Sequence, residues 1–291
     1  KEIAFLTVRQ DFVHDRYDAT LRVIAATGGE PRTLVEGIRG LGMPRWSPDG
    51  HTLAFTAVVG KQPSQIYTVP AAGGTPTELS DAPNGVEQYA WSPDGSTIAY
   101  VTPDDSPLSA KDSRTHHDLF TIHDDDYLVD QPPVPSHIWL LSVKSGKGRQ
   151  LTYGSTSVLE TPPPLTPPDG GVTSPSWSAD GRWIVYTRQA DADDSDSERT
   201  TVVAVNVASG EEHPLTAHLT YEYAPQFAPK GDEVAYLYTH GPGAVSDMDL
   251  FVTSPQGDTA RDVSAGLDRD VVGDFAWLPD GRSVVLMADD H

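Results

Sequence analysis

The sequence contains no cysteine, so neither a disulfide framework nor a thiol nucleophile is available to it. Positive charge is also scarce. Lysine and arginine number 20 against 42 aspartates and glutamates, a formal net charge of -22, and a surface of that sign repels nucleic-acid phosphates. No apolar run approaches the roughly 20 residues of a membrane-spanning helix. Neither nucleic acid nor membrane is expected as a partner. There is no Gly-x-Ser-x-Gly pentapeptide, the strand-to-helix elbow that presents a nucleophilic serine; the nearest approach, Gly154-Ser155-Thr156-Ser157, lacks the second glycine. The acidity reads as a solvated surface. The absence of cysteine leaves the compartment open, the cytoplasm favoured and the periplasm the alternative.

Glycine and proline are plentiful, 25 of each, and they are not scattered. Trp46-Ser47-Pro48-Asp49-Gly50 recurs as Trp91-Ser92-Pro93-Asp94-Gly95, Trp177-Ser178-Ala179-Asp180-Gly181, Phe227-Ala228-Pro229-Lys230-Gly231 and Trp277-Leu278-Pro279-Asp280-Gly281. In each copy proline, or alanine, sets a negative φ, Asp or Lys tolerates the next position, and glycine takes the left-handed φ that closes a tight turn. Each copy predicts a hairpin tip. A short apolar strand follows every tip, at 52–55, 97–100, 183–186, 233–236 and 283–286. These runs do not alternate apolar with polar, which is the pattern of a strand covered on both faces.

Downstream of each hairpin lies a second signature: a strand, a glycine-containing turn, and a strand ending in an aliphatic residue followed by Val, Ser or Thr. The closing pairs are Leu34-Val35, Leu79-Ser80, Leu151-Thr152, Leu215-Thr216 and Val263-Ser264. From each closing aliphatic residue to the next turn aromatic the steps are 12 (34 to 46), 12 (79 to 91), 26 (151 to 177), 12 (215 to 227) and 14 (263 to 277). A repeat of about forty-five residues built from four strands is a propeller blade, which cannot bury its faces alone and must stack on neighbours. An ordinary two-sheet sandwich would not place the same turn at the same point of every unit. The fold class expected is all-β, a β-propeller of four-stranded antiparallel blades.

The expected division is a partial blade over 1–40, blades over 41–85, 86–155, 156–220 and 221–268, and a partial blade over 269–291. Residues 103–136 interrupt the blade over 86–155, and 154–172 form a proline-rich loop that leads the next one. Residues 191–198 read as an acidic hairpin tip. Glu2-Ile3-Ala4-Phe5 aligns with Thr52-Leu53-Ala54-Phe55, which puts the first blade's turn before Lys1, and the last unit stops after two strands. The expectation is an incomplete ring, a fragment of a seven- or eight-bladed propeller, with raw blade edges through which it would self-associate.

The Trp-Ser-Pro-Asp-Gly turn, its Ile-Ala-Tyr or Leu-Ala-Phe strand and the following Ile-Tyr-x-Val, Gly-Gly, Leu-Thr elements resemble the propeller repeat shared by the Tol-system periplasmic propeller and the prolyl-oligopeptidase family of serine peptidases. The segment His137-Ile138-Trp139-Leu140-Leu141-Ser142-Val143 through Arg149-Gln150-Leu151-Thr152, preceded by Asp124-Asp125-Asp126-Tyr127-Leu128, is similar to the acylaminoacyl-peptidase and dipeptidyl-peptidase-like branch. That resemblance implies a non-catalytic propeller that gates peptide access to a C-terminal α/β-hydrolase domain of the same polypeptide, a domain absent from these residues. Peptide substrates and that hydrolase domain are the partners it implies. The alternative is a Tol-like protein-binding scaffold. A third class, a propeller enzyme with its site at the ring centre, shows no acid, metal or lyase signature. With no triad in the chain, catalysis by it alone is not expected.

The candidate substrate-lining residues are Arg114, His116, His117 and Asp118 of the insertion. With His123 and Asp124, Asp125 and Asp126 they have the chemistry of metal ligands, but no fixed spacing joins them, and neighbouring histidines on an extended strand point to opposite faces. No metal or other cofactor is expected. The turn residues Asp49, Asp94, Asp180 and Asp280 are expected to accept hydrogen bonds from nearby amides, with Gly50, Gly95, Gly181 and Gly281 closing the turns. Trp46, Trp91, Trp177 and Trp277 are expected to pack between blades rather than stack on sugars.

Overall fold

A computed structural model of the chain describes residues 1–12, 16–106, 133–159, 175–192, 199–216, 218, 221–239, 248–257, 259–267 and 269–289. Every regular element among them is a β-strand. The chain divides into two compact units, 1–102 with 139–149 and 103–138 with 150–291.

The first unit opens with a three-stranded sheet of β1 (Glu2–Asp11), β2 (Arg16–Ala25) and β3 (Arg32–Val35). A four-stranded sheet follows, β4 (Arg39–Trp46), β5 (Thr52–Val58), β6 (Gln65–Pro70) and β7 (Thr77–Glu78). Next comes β8 (Gln88–Trp91), β9 (Thr97–Pro103), β10 (Ser136–Ser142) and β11 (Gly148–Gln150), also four-stranded and lying in this unit apart from strand ends. In each, strands adjacent in sequence are adjacent in the sheet, so every blade is a meander.

The continuous apolar runs have a simple cause. Leu53, Phe55 and Ala57 of β5 pack in one cluster with Leu21, Val23 and Leu34, whereas Ala54 packs in another with Ile98, Tyr100 and Leu141. Successive side chains of a strand point to opposite faces. Each face meets a different neighbouring sheet, and both faces must be apolar.

The second unit repeats this. Its first sheet holds β12 (Ser157–Val158), β13 (Ser176–Trp177), β14 (Trp183–Gln189), β15 (Thr200–Asn206) and β16 (Glu212–Pro214). Then come β17 (Glu222–Phe227), β18 (Val234–Thr239), β19 (Met248–Thr253) and β20 (Arg261–Asp262), and last the pair β21 (Val271–Trp277) and β22 (Val284–Ala288). Val234 and Tyr236 of β18 pack with Val202, Ala204 and Leu215, while Ala235 and Leu237 pack with Val271 and Phe275.

Several boundaries differ from the sequence reading. Residues 154–172 are not all loop: Ser157 and Val158 pair with Gln189 and Arg188, and Leu159 lies in a core cluster with Tyr221 and Tyr223. The prolines that follow hid a short strand, because the burial of Val158 and Leu159 decides their conformation and neighbouring turn residues do not. The insertion begins and ends inside strands, since Pro103 closes β9 and Ser136 opens β10. Finally, the last strand runs over Val284–Ala288, later than the expected 283–286.

Tryptophans of the turns tie consecutive sheets. Trp91 Nε1 donates to Arg45 O at 3.2 Å, and Trp277 Nε1 donates to Gln226 O at 3.1 Å. Arg45 and Gln226 each precede the turn aromatic of the preceding sheet. Phe227 has no ring N–H; its backbone amide donates instead to Ser176 Oγ at 2.9 Å. At the second turn of a blade the close approach is by backbone. A Cβ on Gly210 (φ +74) would lie 3.3 Å from Leu151 O, and one on Gly257 (φ +77) 3.1 Å from Leu215 O, so φ and space both select glycine there.

Candidate functional site

The recurrent turns consume their own polar groups. Ser47 Oγ donates to Asp49 Oδ1 at 2.6 Å, His51 N–H donates to the same oxygen at 3.0 Å, and Thr52 N–H donates to Ser47 Oγ at 3.0 Å. Ser92, Asp94, Ser96 and Thr97 repeat the pattern, as do Ser178, Asp180, Arg182 and Trp183. The Ser178 hydroxyl and then the Arg182 amide hold the Asp180 carboxyl down to about 2. Asp49 and Asp94 are lowered for the same reasons. Where Leu278 replaces the serine, Asp280 accepts instead from the Arg282 and Ser283 amides at 2.9 and 3.1 Å. Gly50, Gly95, Gly181 and Gly281 take φ of 72°, 70°, 70° and 68°. Trp46, Trp91 and Trp277 lie against core clusters, and Trp177 pairs with Ile184 across its hairpin. Carboxylates so engaged have little left to offer a ligand.

The other candidates, Arg114, His116, His117 and Asp118, lie outside the described residues, as do His123, Asp124, Asp125 and Asp126. The neck of their insertion is described. Asp104 N–H donates to Pro135 O at 2.9 Å, and the buried His137 places Nδ1 3.0 Å from Asp104 Oδ1. Among the described residues no cluster of three or more His, Asp or Glu side chains could hold a metal ion.

In the second unit a group of polar side chains gathers around Glu222, the first residue of β17. Its side chain is fully buried, 0% exposed, although it is a carboxylic acid. Three donors compensate. Val202 N–H donates to Oε2 at 2.8 Å, the Thr216 hydroxyl donates to Oε1, and His218 Nδ1 lies 3.1 Å from the same oxygen. Burial nevertheless outweighs these bonds and raises the carboxyl above its ordinary value. Tyr236 stands close enough for the two groups to repel when ionised, and its phenol, raised mainly by burial, stays neutral.

His218 is held on two sides. Glu222 engages Nδ1, and the ring stacks on Tyr238 at 4.1 Å between centroids with planes 3° apart. Nε2 is thus the nitrogen that Glu222 does not engage. The imidazole borders a cleft of about 690 Å³ whose walls include Tyr238, Phe251, Gln256, Thr259 and Pro214. The Thr216 hydroxyl bonds to the carboxylate and not to the imidazole, so the group lacks the order of a nucleophile relay. What it can do is hold one imidazole edge rigidly beside an aromatic and amide-lined cleft. Sequence reasoning missed both Glu222 and His218. The one available signal was an acid opening the strand Glu222-Tyr223-Ala224.

No family model matches the chain. Over 177 residues, 59% of its length, it is 26% identical to dipeptidyl-peptidase 5 of Porphyromonas gingivalis, and it spans about a quarter of that relative, 25%. Among solved structures it resembles the acylaminoacyl peptidase of Pyrococcus horikoshii with a TM-score of 0.68 and 15% identity, over 99% of this chain and 41% of that one. The β-propeller domain of the trilobed protease of Pyrococcus furiosus matches with a TM-score of 0.62 and 14% identity, over 100% and 75% of the two chains. A TolB of Agrobacterium tumefaciens matches with a TM-score of 0.58 and 19% identity, over 94% and 86%. The fold is a β-propeller of four-stranded antiparallel blades, shared with peptidases and with TolB.

Proposed function

We propose that this chain is the non-catalytic propeller of a larger serine peptidase of the prolyl-oligopeptidase type, and that it screens which peptides reach an α/β-hydrolase site carried elsewhere on the same polypeptide. The observation that carries the reading is the 26% identity over 177 residues to a dipeptidyl-peptidase, because the likeness in fold alone is shared with proteins of other classes. The missing Gly-x-Ser-x-Gly elbow agrees with a chain that contributes access rather than bond cleavage. In this reading Arg114, His116, His117 and Asp118 line the path of the peptide. The cleft beside His218 adds a second surface, where the imidazole and the Gln256 amide offer hydrogen-bond partners to a peptide backbone and Tyr238 and Phe251 offer apolar contact.

The test is the complete natural polypeptide, treated with a fluorophosphonate probe and assayed on dipeptidyl and acetyl-aminoacyl p-nitroanilides. The expected result is a labelled serine outside these 291 residues and activity that the chain alone lacks. A longer polypeptide with no reactive serine would overturn the reading, and equal cleavage of short peptides and of folded proteins would overturn the screening role. The second reading is a TolB-like scaffold that holds protein partners, favoured by the 86% of the Agrobacterium TolB that the chain covers.

A further inference from the structure

Three hydroxyls of the second unit are shut in near Glu222. Thr187 is 1% exposed and Thr200 and Tyr236 are 0% exposed, and among the described residues no hydrogen-bond partner meets Thr187 Oγ1, Thr200 Oγ1 or the Tyr236 hydroxyl. They share one layer. Thr187 stands opposite Val202, the residue whose amide donates to Glu222, and Thr200 lies two residues before Val202 on the same face of β15. Val202 and Tyr236 pack in one cluster, and Glu222 stands opposite Tyr238, on the face of β18 that also carries Tyr236. The fold does not ask for these hydroxyls. Six residues after their turn glycines, Val101 and Leu237 occupy the place that Thr187 takes in its own blade, and Phe55 occupies the place of Tyr236. Tyr186, at that same place, donates to Glu212 Oε1 at 2.9 Å.

We propose that this layer is a binding site for internal water, which joins Thr187, Thr200 and Tyr236 to the Glu222 carboxylate and so to one another. A buried hydroxyl with no partner carries the full cost of its desolvation, and the layer would carry that cost at each of its three hydroxyls. A buried water molecule makes about three hydrogen bonds to such groups, giving and accepting alike. The groups here suit it. Thr and Tyr hydroxyls both donate and accept, and Glu222 Oε2, which takes the Val202 amide, has a lone pair left for a further donor. A metal ion fits less well. The one carboxylate already collects three donors, and no cluster of three or more His, Asp or Glu side chains is found among the described residues. The water extends the fastening of β15 to β17 so that Thr187 of β14 and Tyr236 of β18 take part in it. It does not depend on the peptidase reading.

The sign of a few conservative substitutions tests the site. Removing a hydroxyl that has no partner should stabilise the chain, because a desolvation cost disappears, whereas removing one that holds water should destabilise it. Thr187→Val, Thr200→Val and Tyr236→Phe keep the shape of the side chain, and each is expected to lower the folding equilibrium constant of the whole chain about fivefold in urea melts. Thr187→Val combined with Tyr236→Phe should lose less than the product of the two single losses, since the second substitution finds the shared water already displaced. A crystal structure of the wild type at near-atomic resolution should show water density within hydrogen-bond reach of more than one of the hydroxyls, and the double variant should lack it. A gain in stability on any of the substitutions, fully multiplicative losses, or a crystal structure with no such density overturns the proposal. So does a melting temperature that rises with one alkali cation and not with another at equal ionic strength, which would give the layer to an ion.

Discussion

The backbone N–H groups of Ile66, Ile138 and Leu250 end on hydroxyls, those of Ser80, Thr152 and Ser264 at 2.8, 2.9 and 2.9 Å, whereas the N–H of Val202 ends on the Glu222 carboxylate at 2.8 Å. The four amides occupy the same place, at or near the start of the third strand of a blade. In the first three the acceptor follows that blade's own closing strand. In the fourth it comes from the next sheet, and the local hydroxyl of Thr216 turns to donate to the carboxylate as well. A hydroxyl is neutral and both gives and accepts, so it caps the amide while donating to a group of its own blade, as Ser80 Oγ does to Gln65 Oε1 at 2.7 Å and Ser264 Oγ to Asp262 Oδ1 at 3.0 Å. A buried carboxylate must collect several donors, and in collecting Val202, Thr216 and His218 it fastens the sheet of β15 to that of β17. The cost is a buried charge, carried by a side chain that is fully buried and accepts directly from the Val202 amide.

Removing the acceptor should therefore hurt unequally. Glu222→Ala leaves the Val202 amide and the Thr216 hydroxyl without their acceptor, and about 2–4 kcal/mol of unfolding free energy should be lost. Thr152→Val orphans one amide and should lose about 1–1.5 kcal/mol. Urea denaturation of the two variants checks the order, and equal losses would mean that the carboxylate is no more than another cap.

The second difference lies in pH. Because burial raises the Glu222 carboxyl above its ordinary 4.5, the folded chain binds that proton more tightly than the unfolded chain does. The ionised group then costs stability as pH rises through and above 4.5, and the cost is relieved on acidification. Thr216, His218, Tyr236 and Tyr238 surround it. The wild type is expected to gain on Glu222→Gln when pH falls from about 7 to about 5. Parallel urea melts of the two proteins measure this; a wild type that loses ground to Glu222→Gln would reverse the sign. The turn aspartates act oppositely. Their lowered carboxyls contribute above 3.8, and the contribution fades as pH falls towards about 2 at Asp180.

The smallest effect is expected at the turns. Phe227-Ala228-Pro229-Lys230-Gly231 keeps the Ala228 N to Glu233 O bond at 2.8 Å, as Ser47 N keeps its bond to Thr52 O at 2.8 Å, but it has no serine–aspartate pair. Ala228→Ser with Lys230→Asp should add about 0.5 kcal/mol, read as a small upward shift in melting temperature. No gain would show that the backbone alone specifies the turn.

Much of this molecule was readable residue by residue. The five turn motifs, the doubly buried strands after the first four of them and the meander order follow from local rules, because a left-handed glycine and a strand covered on both faces leave marks in consecutive residues. The strand after the fifth turn has the same apolar run, yet Val285 and Met287 are exposed. The strand Ser157–Val158 was not readable, since its pairing with β14 is decided across some thirty residues of chain that begin with prolines. The same holds for the site. The turn aspartates declared their partners by spacing, two and three residues away. Glu222 and His218 did not, because nothing in the order Thr216, His218, Glu222 says that the acid is fully buried or that its other oxygen reaches back to Val202.

By itself the sequence determined the class of fold, the length of the repeat and the chemistry of the tips, all properties of contacts between near neighbours in the chain. Only the tertiary structure decided which carboxylate is buried, which imidazole it holds against a cleft, and which hydroxyls are shut in near it. Those depend on which sheet lies against which, and stacking is a relation between residues some twenty to fifty positions apart that no local pattern records.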